Sequence, residues 1–375
     1  MKKTNKCDHV FLFLEVFVQE GGIQSYLRDV LSAYRNLDYQ AEIFILRDDS
    51  IPSEFLDAPN LSFHTFKSSS PTLGRILFSG ALLKCLVLHR PDHIFCGHIK
   101  LGSLSKLFSE LFKIPYTVLT YGKEVWETLP TSQNQVLQSA QDIWTISRYS
   151  GTRSAQSNQI DEGKFKILPC VVDSDNFTIA QKPKDLIEKY QLENHQVLLT
   201  VARLWSGDIY KGVDVTIRAL PEILKIFPDV KYLVVGRGDD QPRLQQLSKD
   251  LEIGDKVIFA GFVPTEDLVA HYQVCDAYIM PSQEGFGIVY LEAMCCGKPV
   301  LSGDSDGSAD PLQDGRLGWR VPHRDAWAVA QGCIEILQGN DQRCDGVWLR
   351  QETIQLFSKQ ILSPRLNQLL NLSSG

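Results

Sequence analysis

The segment Pro281-Ser282-Gln283-Glu284-Gly285-Phe286-Gly287, running into Ile288-Val289-Tyr290-Leu291-Glu292, sets two carboxylates eight residues apart around a glycine-bounded turn. Ala277 to Met280 reads as a strand and the residues after Gly287 as a helix. The loop Glu284 to Gly287 then stands at the carboxyl end of a parallel strand, where open α/β sheets take their ligands. From Gly287 to Cys296 only Glu292 is charged. A carboxylate in such company needs a partner or a shifted pKa, and ribose hydroxyls or a neighbouring arginine would each supply the partner. At ~1.5 Å rise per residue, Glu292 lies roughly 7.5 Å deeper than the helix start, whose free N–H groups can hold a phosphate. Sugar at Glu284, phosphate at the helix start and ribose at Glu292 form one line; a core helix with a single paired glutamate is the plainer account.

A second segment, Val201-Ala202-Arg203-Leu204-Trp205 to Tyr210-Lys211-Gly212, also follows a strand and precedes a helix. Arg203 offers a forked contact and Lys211 a point charge, enough to neutralise a diphosphate without metal; two solvated loop cations would look the same. Gly21-Gly22, after the first strand, lets backbone approach a phosphate closely. His98 follows another strand in Phe95-Cys96-Gly97-His98, either as a structural residue or as one that orients a substrate by hydrogen bonding. Gly236-Arg237-Gly238 lacks the third glycine of a dinucleotide turn, since Gln241 stands there. Asp173-Ser174-Asp175 and Asp304-Ser305-Asp306 read as chance acidic triplets, and no metal site is expected.

Two alternations of strand and helix must hold these groups. The first has strands at Val10 to Val18, Ala41 to Leu46, Leu61 to Phe66, His93 to Cys96, Tyr116 to Thr120, Ile143 to Ile146 and Phe165 to Leu168. The second has them at Val197 to Ala202, Lys231 to Val235, Lys256 to Ala260, Ala277 to Met280 and Pro299 to Leu301. Alternation of this kind implies mostly parallel, doubly wound sheets. The pattern breaks at Pro169 to Pro183, so we expect an N-terminal domain over 1–176 and a second over 177–350. A helical tail over 351–375 is expected to pack back on the first domain.

The 375 residues suit two domains at ~150 residues each. Hydrophobic and charged fractions of 43% and 22% are those of a globular chain. Val10 to Val18 is too short to cross a bilayer, and no cleavable leader is recognised after Met1 to Lys6. Nine cysteines, without zinc-type spacing and with Cys295-Cys296 adjacent, read as reduced thiols of a cytoplasmic protein. The three sequons at Asn60, Asn176 and Asn371 then read as chance. The net charge of -7 excludes a general nucleic-acid binder. Residues 67–113 hold seven cations against two acids. That zone reads either as core helices with solvated lysines or as a surface for peripheral contact with an anionic membrane.

Gly21-Gly22, Arg203 with Lys211-Gly212, Gly236-Arg237-Gly238 and Glu284 spaced eight before Glu292 resemble the retaining glycosyltransferases of family 4, over nearly the whole chain. The resemblance implies an α/β GT-B fold, two Rossmann-like doubly wound domains facing a central cleft, with a nucleoside-diphosphate sugar as co-substrate and no cofactor or required metal. It puts Arg203 and Lys211 on the diphosphate, Glu284 on the donor sugar and Glu292 on the ribose, with Gly21, Gly22, Phe286, Gly287 and Ile288 around the donor. The acceptor would be a glycan, a lipid-linked saccharide or a small metabolite. Many relatives carry a histidine where this chain reads Thr120-Tyr121-Gly122-Lys123-Glu124, so the acceptor side falls to Tyr121 and Glu124. With no well-placed nucleophile, the expected chemistry is front-face substitution assisted by the leaving diphosphate. A sugar-nucleotide epimerase and a non-catalytic binding subunit are the alternatives.

Overall fold

The computed structural model describes residues 7–18 and 21–373. The basic start Met1 to Lys6 and the pair Gln19-Glu20 lie outside the described residues. The chain divides into two compact units, Met1–Val171 with Lys359–Gly375, and Val172–Ser358.

The first unit carries β1 (His9–Phe13), β2 (Ala41–Ile45), β3 (Leu61–Thr65), β4 (His93–Cys96), β5 (Tyr116–Thr120), β6 (Asp142–Thr145) and β7 (Phe165–Ile167). They form one sheet in the order β3-β2-β1-β4-β5-β6-β7, and every pairing is parallel. A parallel sheet is covered by helices on both faces, which is why its strands read as unbroken apolar runs. Val10, Leu12, Ile94, Val118 and Ile143 accordingly sit in one core with Phe78 and Leu82 of the helix Pro71–His89.

β1 is shorter than the expected Val10 to Val18. It stops at Phe13 because the chain then turns, and the buried Asp48 carboxylate accepts the N–H groups of Val16 and Phe17 at 2.8 Å each. The apolar run continues past the strand into a turn in which Val16 is buried but Val18 is 44% exposed, and composition alone does not mark where the strand ends. The tail also differs from a single helix: Gly346–Phe357 and Lys359–Ser373 are separate, broken at Ser358, which bridges to Val172. Lys359–Ser373 packs on the helix Gly22–Arg35 of the first unit, with the Ser363 hydroxyl donating to the Ala33 carbonyl at 2.6 Å.

The second unit carries β8 (Gln196–Val201), β9 (Val230–Val235), β10 (Val257–Gly261), β11 (Ala277–Met280), β12 (Val300–Gly303) and β13 (Trp319–Val321). Their order is β10-β9-β8-β11-β12-β13, again all parallel. β13, with three residues, was too short to show as a period in the sequence. Both units are therefore Rossmann-like sheets, as the alternation predicts.

Candidate functional site

In the second unit the strand order reverses between β8 and β11, which lie side by side with Ala277 opposite Leu198. Helices leave such a pair toward opposite faces, so a crevice opens at the carboxyl ends of the two strands. The loops issuing there are Ala202 to Gly212 and Pro281 to Gly287. Backbone contact joins them: the Gln283 N–H donates to the Tyr210 carbonyl at 3.2 Å. A Cβ on Gly212, whose φ is +76, would lie 2.5 Å from the Pro281 carbonyl oxygen, so only glycine allows this approach. Gly236-Arg237-Gly238 supports the first loop from behind, the Arg237 carbonyl accepting the Leu204 N–H at 3.0 Å.

These loops bring Lys211 and Glu284 together. The Lys211 ammonium donates to Glu284 Oε1, and each side chain keeps less than a fifth of its surface exposed, 18% and 17%. Burial works against the Lys211 charge, but the Glu284 carboxylate and Tyr210 outweigh it and hold its pKa above the ordinary lysine value. Arg203 lies further out, 58% exposed, with its guanidinium 3.0 Å from the Asp208 carboxylate and stacked over Trp205 at 4.7 Å.

Two further residues fix this arrangement: Asp306, which the sequence offers only as part of a chance acidic triplet, and Arg324, which nothing in the sequence marks. Asp306 Oδ2 accepts the Glu284 N–H at 2.6 Å, while Oδ1 accepts the Ser308 N–H at 2.9 Å and the Ser308 hydroxyl. Burial raises its carboxyl pKa to about 7. Arg324 reaches the buried Asp214 carboxylate with both terminal nitrogens and the Ile209 carbonyl at 3.2 Å, clamping the turn that carries Lys211. Within the acidic triplet at 304–306, Asp306 thus caps backbone while Asp304 Oδ1 accepts the Ser305 hydroxyl at 2.8 Å; no group of His, Cys, Asp or Glu among the described residues is spaced to hold a metal.

Past the loop, the helix Ile288–Cys295 begins at Gly287, whose left-handed φ of +91 points its missing side chain at the Tyr290 ring. Ile288 is the first helical residue. Phe286 is buried against Phe357 and belongs to the core. Glu292 meets a tyrosine and not an arginine: its Oε2 accepts the Tyr272 hydroxyl at 2.6 Å. Burial raises its pKa to about 7, against the opposing pull of that hydrogen bond.

The first unit has its own reversal, between β1 and β4. The helix Gly22–Arg35 starts after β1, and a Cβ on Gly22 would meet nothing within 4 Å, whereas one on Gly21 would press on the Gln24 side chain at 2.6 Å. After β4, His98 Nδ1 accepts the Lys100 N–H at 3.1 Å. Burial, with Lys100 and Arg47 nearby, lowers its pKa to about 4. The ring is therefore neutral at pH 7 and its proton sits on Nε2. Tyr121 is buried and its hydroxyl donates to the Gly97 carbonyl at 2.6 Å, so its polar group is spent on holding the His98 turn. Glu124 in turn accepts the Tyr121 N–H at 2.5 Å, and burial raises its pKa.

Residues 181–345 match the family model described as glycosyl transferases group 1. The second unit belongs to the group 1 glycosyl transferases. A GDP-mannose-dependent alpha-(1-6)-phosphatidylinositol monomannoside mannosyltransferase of Mycolicibacterium smegmatis is 33% identical over 231 residues, 58% of this chain and 59% of that one. The monoacylated-lipid counterpart of Corynebacterium glutamicum is 26% identical over 368 residues, 93% and 94% of the two chains. The chain spans about three fifths of the length of the first curated relatives it matches. Among solved structures, Anabaena Alr3699/HepE in complex with UDP superposes with a TM-score of 0.78, at 19% identity over 97% of this chain and 100% of that one. The lipopolysaccharide galactosyltransferase WaaB follows with a TM-score of 0.74 at 18% identity, over 98% of this chain and 100% of that one. Both likenesses are of fold, and the fold is GT-B. The switch-point loops with Lys211 and Glu284 lie inside the matched residues.

Proposed function

We propose that the chain transfers a sugar from a nucleoside-diphosphate donor to a hydroxyl acceptor, keeps the anomeric configuration and uses no metal. The observation that carries this reading is the Lys211–Glu284 ion pair at the reversal of the second sheet. A cation and a carboxylate held against one another suit a ligand that presents an anionic diphosphate and a polyhydroxyl group side by side. Arg203, itself mostly exposed and held by the Asp208 carboxylate and the Trp205 ring, can exchange that pairing for the same diphosphate. Glu292, with its Tyr272 partner, takes the ribose.

In the transfer, the bond from the anomeric carbon to the diphosphate oxygen breaks as the acceptor oxygen bonds to that carbon from the same face. The acceptor proton passes to the leaving diphosphate. Lys211, Arg203 and the N-terminus of Ile288–Cys295 stabilise the charge that develops on the leaving group. Glu284 orients the donor sugar, and His98, neutral with a proton on Nε2, offers a donor to a substrate hydroxyl.

The relatives' named donor, carried to this chain, makes GDP-mannose the sugar nucleotide we propose. The test is a thermal-shift panel of GDP-mannose, UDP-glucose and the free diphosphates, followed by transfer assays with the donor that binds. GDP-mannose should raise the melting temperature most and be consumed only with acceptor. A donor isomerised without acceptor would replace the reading by epimerisation; stabilisation by no nucleotide would overturn it.

A further inference from the structure

The helix Pro71–His89 carries apolar residues on every side, with Arg75 and Lys84 its only full charges, a pattern ordinarily found where both faces are buried. Here only one face is covered: Phe78, Leu82, Cys85 and Leu86 enter the core of the first unit. The opposite face carries Leu73, Ile76, Leu77, Leu83, Val87 and Leu88, each between 41% and 64% exposed. At 100° per residue these six fall within one arc on the solvent side. The neighbouring helix Gly102–Phe112, which shares the same core, adds Leu107 and Leu111, exposed by 56% and 64%. Exposed apolar side chains clustered to this degree mark an interaction surface.

The helix satisfies the length and hydropathy of a membrane span, with a mean hydropathy of 1.5. It cannot cross a bilayer while its inner face packs on a sheet it joins, leading from β3 into β4. It can lie in an interface. Arg75, Lys84, Arg90, Lys100 and Lys113 are exposed on and around these helices, against the acids Asp92 and Glu110. A second copy of the chain would bring the same cations against them, whereas an anionic lipid surface attracts the cations and receives the apolar side chains together.

We infer that the outer face of Pro71–His89, extended by Leu107 and Leu111, docks the first unit on an anionic membrane. The docking itself is independent of the transferase reading. It rests on that reading only for its consequence, an acceptor presented from the lipid surface.

The experiment is co-sedimentation of the full chain with vesicles of phosphatidylcholine alone or with phosphatidylglycerol added, without nucleotide. Binding to the anionic vesicles should exceed binding to neutral ones at least tenfold and fall severalfold between 0.05 and 0.5 M salt, as ~10 Å screening at 0.1 M requires. Ile76→Glu with Val87→Glu, both at exposed positions, should abolish it while circular dichroism and the donor-induced thermal shift stay unchanged. Equal and negligible binding to both vesicles would overturn the inference, as would a concentration-dependent dimer that the same double variant dissolves. A positive result without any nucleotide-induced shift would keep the docking and reject the transferase.

Discussion

The Asp306 carboxylate receives the backbone N–H of Glu284 at 2.6 Å, and Gly307 returns the bond by donating to the Glu284 carbonyl at 2.8 Å. The position of the Glu284 side chain is therefore set by a loop on the neighbouring strand. Asp306→Ala should lower turnover by at least tenfold with little change in free diphosphate affinity. It should also cost ~1–2 kcal/mol of stability, as the loss of a capping carboxylate does. Asp306→Asn, which retains one acceptor oxygen, should recover part of both. Steady-state kinetics and urea unfolding measure them separately, and an unchanged turnover in Asp306→Ala would contradict the positioning role.

Removal of Lys211 should be costlier than removal of Arg203. Lys211 is largely buried and bonded to Glu284, whereas Arg203 is mostly exposed. Lys211→Ala is expected to reduce kcat/KM by roughly a hundredfold, the usual effect of losing one donor to a developing anion, and Arg203→Ala by about tenfold. Activity of the wild type should persist in excess chelator. Loss on chelation with recovery in magnesium or manganese would refute metal independence.

Glu292 gives a pH signature of known sign. Its carboxyl titrates at about 7 when folded against an ordinary 4.5, so the folded chain holds this proton more tightly than the unfolded one. The resulting stability is fully present below about pH 4.5 and lost as pH rises through 7. Asp306, also raised to about 7, acts in the same direction. Glu292→Gln should therefore flatten part of the decline in melting temperature between pH 5 and 8. Nucleotide affinity should run the opposite way, strengthening above pH 7 as the carboxylate becomes free to accept ribose hydroxyls. Titration calorimetry at pH 6 and 8 checks this, and a pH trend identical in Glu292→Gln and wild type would remove Glu292 from the ribose site.

Arg324 makes a different kind of prediction, since it holds the Lys211 turn through the Ile209 carbonyl and Asp214. Arg324→Ala strands the buried Asp214 carboxylate, whose side chain is 5% exposed. With Arg324 itself 39% exposed, the loss should be about 2 kcal/mol, below the usual range for a fully buried pair. Donor KM should rise severalfold more than kcat falls, because the turn loosens while the reacting groups remain. Arg324→Ala with Asp214→Ala should restore stability but leave the KM defect.

Sequence periodicity carried the two parallel sheets, and the spacing of Glu284 and Glu292 carried the loop and the helix behind it. What it could not carry were contacts made across the fold. Asp306 serves Glu284 from 22 residues away, and Arg324 serves Asp214 from 110; neither separation leaves a period or a motif. The Val10 to Val18 run overshot β1 because apolar composition continues into the turn that Asp48 caps, where only Val16 is buried. Tyr121 stands where the family resemblance implies a histidine, and only its bond to the Gly97 carbonyl assigns it a supporting part.

The return of Lys359–Ser373 to the first unit has a consequence for synthesis on the ribosome. The helix Gly22–Arg35 emerges early, but the surface that Lys359–Ser373 covers stays open until the whole of Val172–Ser358 has been made. The first unit can therefore build its sheet early and yet must complete its packing last. Nascent chains halted before Lys359 should expose that helix face, and they would be the natural clients of chaperones that bind apolar surface during translation.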